Sequence, residues 1–231
     1  MTPSNNLMQS FQANQHRVCI YPAAQQAAAA AAEAVAAEMR RLIAGRDRAV
    51  GVFDAAPGVV AFLDCLAETG GIEWTRVIGF QLDEFVGVNE DSPRSTRRVL
   101  LDRLVCRVPM AEFHAIRGEA ANPAAVCDNL AKLLRSRPPD FAVLELGAMP
   151  GLPESDAGPL QVIEPENAGC LIRMTRAAIL ACPRLFLLAS GAEQAAAFHD
   201  WMVREWPRDA GADLFLDRAA AAELSLGEDG P

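Results

Sequence analysis

The chain has 231 residues, 51% of them hydrophobic and 22% charged, close to ordinary globular composition and long enough to bury a core without disulfide or metal staples. A formal net charge of −9 argues against a general nucleic-acid binder or a protein that coats anionic membranes, although a local pocket can still oppose the global sign. No apolar run approaches the roughly 20 residues that span a bilayer. The six cysteines are scattered with no Cys-x-x-Cys pair, the pattern of reduced, mostly buried thiols, and a cytoplasmic protein with no metal and no cofactor is expected.

Residues 1–16 are polar and read as a flexible tail, and 17–226 read as one domain. A short apolar run, Val18 to Tyr21, predicts a first strand that ends at Pro22. The alanine-dominated stretch from Ala23 to Ala44 predicts a long helix, with Gly45 placed to end it. The pattern then alternates. Ala49 to Phe53 reads as a buried strand, Pro57 to Glu68 as a helix, Arg76 to Leu82 as a strand and Ser95 to Val105 as a helix. Phe113 to Ile116 is a short strand, and Asn122-Pro123 opens a helix in the favoured cap-then-proline order, running to about Arg135. Phe141 to Leu146 reads as a central strand, and 147–169 as irregular. Cys170 to Met174 and Leu185 to Ala189 are strands with a helix between them, Ala192 to Glu205 is helical, Leu214 to Leu216 is a last strand and Arg218 to Leu224 a last helix. Strands separated by helices of about ten residues or more imply right-handed parallel crossovers. The fold class is therefore α/β, a mostly parallel sheet with helices on both faces, in a Rossmann-like single domain.

In such a sheet ligands gather beyond the carboxyl ends of the strands. One strand ends in Leu82-Asp83-Glu84-Phe85-Val86-Gly87, followed by Ser92-Pro93-Arg94-Ser95. Adjacent carboxylates on a continuing strand point to opposite faces, so one can face the crevice while the other pairs elsewhere. A carboxylate held there can act as a general base on carbon next to a carbonyl. The plainer alternative is a solvated acidic loop that caps the next helix.

This segment resembles the carboxylate-bearing segment of glucosamine-6-phosphate deaminases. The resemblance continues through Phe113 to Gly118, Arg173-Met174-Thr175 and Phe186 to Glu193, while Leu216 to Leu224 is similar to the 6-phosphogluconolactonase branch of the same family. It implies an enzyme of isomerisation with deamination, or of lactone hydrolysis, acting on a small-molecule sugar or sugar phosphate. Asp83 would be the base, with Glu84 beside it, and Arg173 the phosphate contact. Glu154, Asp156 and His114 are weaker catalytic candidates; Gln194, Ala55 and Ala56 lie at positions that would bind phosphate. No nucleic-acid or membrane partner is implied, and a homo-oligomer stays open.

Three parts of the family pattern are altered. The phosphate loop, Thr-Gly-Ser-Thr-Pro in the family, reads Phe53-Asp54-Ala55-Ala56-Pro57. Asp54 brings a charge whose repulsion at ~4 Å costs about 4 kcal/mol at an effective dielectric of ~20; its expected structural role is as N-cap of the helix at Pro57. The family's Gly-x-Gly-x-Asp-Gly-His reads Leu144-Glu145-Leu146-Gly147-Ala148-Met149-Pro150-Gly151, with neither the Asp nor the His. The family's Gly-x-x-Lys reads Gly191-Ala192-Glu193-Gln194, and Lys132 is the sole lysine of the chain. Two functions stay open: an enzyme using Asp83 on a hexose phosphate or related sugar, and a non-catalytic sugar-binding or regulatory module that keeps the fold. The packing expectations are plainer. Arg94, Arg97 and Arg98 read as a solvated helix face, and Trp201, Trp206 and Phe198 as packing residues.

Overall fold

The computed structural model describes residues 7–13, 15–154, 158–164, 169–203 and 211–223, with backbone only for 201–203. Among the described residues, eight strands form the main sheet. In spatial order they are β1 (Gln9–Ala13), β2 (His16–Tyr21), β11 (Ala212–Asp217), β10 (Arg184–Ala189), β7 (Phe141–Glu145), β3 (Ala49–Phe53), β4 (Val77–Gln81) and β6 (Glu112–His114). Every pairing from β2 to β6 is parallel; only β1 runs antiparallel to its neighbour. A small antiparallel sheet of β5 (Asp83–Phe85), β9 (Leu171–Met174) and β8 (Leu160–Ile163) stands at the carboxyl end of β4.

The strands bury both faces, and their period of two divides the core. Val50, Val52, Ala142 and Leu144 face one cluster, in which α4 (Pro123–Ser136) supplies Cys127, Leu130 and Leu134, α5 (Arg176–Leu180) supplies Ile179, and α6 (Ala195–Val203) supplies Phe198. Ala49, Phe53, Phe141 and Val143 face the other, covered by α1 (Ala24–Arg46), α2 (Val60–Glu68) and Leu100 of α3 (Thr96–Arg103). The expected architecture, a mostly parallel sheet with helices on both faces, is the one observed. No described helix is long and apolar enough to cross a membrane.

Several local expectations are corrected. The segment read as a flexible tail carries β1: Gln9, Ser10 and Gln12 are polar, but the backbone closes the open edge of β2, and Phe11 and Ala13 rest on the core. His16, assigned to that tail, begins β2, where it is buried and its Nδ1 accepts the N–H of Ala212 at 3.1 Å. Helix α1 runs through Gly45 and stops at Asp47, whose φ of 65° ends the helix in the left-handed region. The span read as irregular contains a 3-10 segment, Leu146–Gly151, and β8. Residues 218–223 form turns rather than a helix. Leu224 and Trp206 lie outside the described residues, as does the side chain of Trp201. Arg97 is not solvated: it is 7% exposed and its guanidinium meets Glu119 at 3.2 Å and Glu90 at 3.5 Å. Burial is also less complete for the thiols than expected: Cys19, Cys127 and Cys182 are buried, Cys65 and Cys170 partly so, and Cys106 is exposed.

Candidate functional site

The strand ends that converge are those of β3, β4 and β7, with β5 and β9 beside them. Main-chain bonds stitch them together: Leu82 donates its N–H to Phe53 O at 3.0 Å, and Met174 donates to Leu82 O at 3.1 Å. The chain leaves β4 at Gln81 and enters β5 at Asp83, so the two carboxylates sit on a strand paired with β9. Alternation sends them apart, and their surroundings differ sharply.

Asp83 is opposite Arg173 in the β5–β9 register. Arg173 donates from Nε at 2.8 Å and from Nη2 at 2.7 Å, both to Asp83 Oδ2. Oδ1 takes no hydrogen bond among the described residues. Although 5% exposed and paired with a guanidinium, the carboxyl is pushed up to about 6. Burial is the main cause and the charge of Asp54 adds to it; Arg173 opposes both.

Glu84 faces inward to α3. Its Oε2 accepts from Ser95 Oγ at 2.7 Å, the N–H of Arg97 at 2.9 Å and Gln81 Nε2 at 3.3 Å; its Oε1 accepts from the N–H groups of Phe85 at 2.9 Å and Thr96 at 3.2 Å. The residue is 1% exposed and serves the N-terminus of α3, where Ser95 is the N-cap. Gln81, which sequence reasoning missed, ties this corner: Nε2 also reaches Asp83 O at 2.7 Å and Thr96 Oγ1 at 2.9 Å, and Oε1 accepts the N–H of Ile116 at 2.9 Å. A buried Gln at a strand end, two positions before the carboxylates, was the available signal. The loop from β5 is held close as well. A Cβ at Gly118 would lie 2.2 Å from Phe85 O, so only glycine lets the two backbones meet.

Asp54 does not cap the helix at Pro57, as expected from sequence; that turn has Ala56 at its N-cap with no side-chain bond. The carboxylate curls back on its own loop. Oδ1 accepts the N–H groups of Ala55 at 2.7 Å and Ala56 at 3.0 Å, and Oδ2 accepts the N–H of Glu145 at 2.9 Å. It is 3% exposed, and burial raises its pKa against the pull of those donors. Glu145, at the end of neighbouring β7, accepts the N–H of Gly58 at 3.1 Å and is likewise raised by burial. Its approach is so close that a Cβ at Gly58 would lie 2.1 Å from Glu145 Oε1. Gln194 Oε1 accepts the N–H of Gly147 at 3.1 Å. Asp54 and Glu145 were visible as acids at two adjacent strand ends, but their engagement with main-chain donors was not.

The weaker candidates fall elsewhere. His114 lies on Phe80, ring centroids 4.7 Å apart, with Nε2 3.3 Å from both Glu112 and Arg137. It belongs to the sheet edge. Glu154 is largely exposed and pairs with Arg176 at 2.8 Å. Asp156 lies outside the described residues. The segment after β7 turns inward instead of presenting polar groups: Met149 and Leu152 are buried.

A mostly parallel sheet that gathers a buried carboxylate, a guanidinium and main-chain donors at its strand ends has the α/β form in which small-molecule sites commonly lie. Residues 22–222 match the family model described as glucosamine-6-phosphate isomerases/6-phosphogluconolactonase, and the chain belongs to that family. Among curated relatives, it is 30% identical over 76 residues to a glucosamine-6-phosphate deaminase of Exiguobacterium, covering 33% of this chain and 30% of that one. It is 25% identical over 189 residues to a glucosamine-6-phosphate deaminase of Streptococcus suis, covering 69% of this chain and 81% of that one. The chain thus spans less than a third of the first relative's length and four-fifths of the second's. In fold it is similar to a monomeric glucosamine-6-phosphate deaminase (TM-score 0.75, 20% identity, 89% of this chain and 98% of that one). It is equally similar to the 6-phosphogluconolactonase of Leishmania guyanensis (TM-score 0.76, 17% identity, 90% and 98%).

Proposed function

We propose that this family member acts on a hexose phosphate or related sugar, with Asp83 as the proton-transferring carboxylate and Arg173 as its guiding cation. The observation that carries this reading is the placement of Asp83: one oxygen is held by Arg173, the other has no described partner, and burial pushes the carboxyl up to about 6. A carboxylate so poised is ionised at neutral pH yet basic enough to take a proton from carbon or water. Arg173 fixes its direction by donating from Nε and Nη2 to the same oxygen. Glu84 is assigned no proton transfer, because five donors already use it.

The test is turnover of a panel of amino sugars and sugar lactones, phosphorylated and not, by the full chain and by Asp83→Asn. A loss of roughly 10²–10⁴-fold is expected in the variant. Turnover that survives the substitution would overturn the role of Asp83, and none on any member of the panel would overturn the enzyme reading. A second reading, a sugar-binding module without catalysis, is favoured by the inward packing of Met149 and Leu152 where the family carries its acid and imidazole. That module would give a ligand-induced rise in melting temperature without turnover.

A further inference from the structure

Five main-chain N–H groups from two strand-end loops point to side-chain oxygens at these strand ends: those of Ala55, Ala56 and Gly58 after β3, and of Glu145 and Gly147 at the end of β7. Convergent main-chain donors beside the start of a helix are a general cradle for an anion. Here every one of the five is already accepted by a side-chain oxygen of the chain itself. Asp54 takes three, Glu145 one and Gln194 one. Two of the three occupying groups are carboxylates raised by burial, and Asp54 also bears on Asp83 electrostatically.

We propose that Asp54 and Glu145 are tethered anions that fill this cradle and thereby set the ligand class: a neutral, hydroxyl-rich sugar or polyol in place of a phosphate ester. This rests on the reading of the site as a sugar site and narrows it. A phosphate entering here has to displace a carboxylate from its donors and then share a desolvated space with it and with Asp83. A hydroxylated ligand avoids that conflict, because its O–H groups donate to the carboxylate oxygens. The guanidinium beside Asp83, that of Arg173, is already engaged by it and is not available to offset the added charge.

The experiment uses the full chain and follows melting temperature with inorganic phosphate and glucosamine 6-phosphate, against glucosamine and glucose, at matched ionic strength. The wild type is expected to show no shift with 10 mM phosphate. Asp54→Ser, which removes the carboxylate and leaves a hydroxyl among the same donors, is expected to gain a shift of about 3 °C, corresponding to a dissociation constant near 1 mM. Asp54→Asn keeps an acceptor oxygen for Ala55 and Ala56 and is the safer variant for folding; a smaller gain is expected, and it decides the matter if the serine variant does not fold. A wild type that binds phosphate as tightly as either variant overturns the proposal, as does a folded variant with no gain. A gain in the variants with no response of the wild type to any unphosphorylated sugar upholds the tethered anions but sinks the sugar reading on which the ligand class rests.

Discussion

The two ends of the main sheet both carry buried acids, and they satisfy them by different means. At the amino ends of the strands, Asp213 meets Arg17 at 3.1 Å and Arg184 at 2.6 Å, and Asp140 meets Arg46 at 2.8 Å, with one N–H from Val50 at 2.9 Å. At the carboxyl ends, Asp54, Glu84, Glu145 and Asp217 lean chiefly on main-chain N–H groups; Asp217 takes those of Gly191 at 3.1 Å and Ala220 at 2.8 Å. The cause is the parallel fold itself. Each helix runs back against its strand, so helix N-termini and their unpaired N–H groups collect at the carboxyl ends of the strands. These four acids therefore need no arginine of their own, and the arginine nearest them in the small sheet, Arg173, is committed to Asp83.

The contrast is sharpest where an acid is removed. Glu84→Ala leaves the N–H groups of Phe85, Thr96 and Arg97 and the Ser95 hydroxyl without their acceptor in a buried corner. A loss on the order of 4 kcal/mol is expected in a denaturant melt, since each abandoned buried donor costs about 1–3 kcal/mol. The effect of pH at Asp83 is next. Its folded pKa of about 6 lies above the unfolded value of 3.8. The folded state therefore holds the proton more tightly, so this group's contribution favours folding below pH 4 and is lost as pH rises to 6. Wild-type stability should fall relative to Asp83→Asn by on the order of 2 kcal/mol between pH 4 and 7, read from paired melts. A difference that is flat, or rises with pH, would contradict the burial of an ionisable Asp83. The smallest effect belongs to the amino end. Asp213→Ala removes two ion pairs whose arginines are about half exposed, and a loss of about 1 kcal/mol is expected, diminishing with added salt.

Much of this arrangement was legible in the chain, for identifiable reasons. Ala49 to Phe53, Phe141 to Leu144 and Leu185 to Ala189 are continuous apolar runs because both faces of a parallel sheet are covered, and α4 carries its own start signal in Asn122-Pro123, with Asn122 accepting the N–H of Ala125 at 3.1 Å. Strand β1 was hidden because its stability comes from main-chain pairing at an edge, which leaves no mark on side-chain polarity. The small sheet was hidden for another reason: periodicity identifies a strand but not the sheet it joins. At the site, Asp83 and Arg173 were visible as a motif and as a charge, and they meet. Asp54 was visible only as a charge. Whether an acid repels a ligand, caps a helix or accepts its own loop's N–H groups depends on backbone direction, and the one-letter sequence carries little of that.

The placement of β2 beside β11 has a consequence for how the protein is made. Arg17 and Asp213 are neighbours in the sheet although 196 residues separate them. Until residues 212–217 have left the ribosome, β2 and its hairpin partner have no parallel neighbour, and α1 lacks the strand that lies between β2 and β10 beneath it. Strand β2 therefore waits for β11, and closure of so long a loop is a slow step that the β3, β4 and β7 core can precede. Chains halted before β11 would expose the open edge of β2, the place where a nascent-chain chaperone or a stray strand would bind.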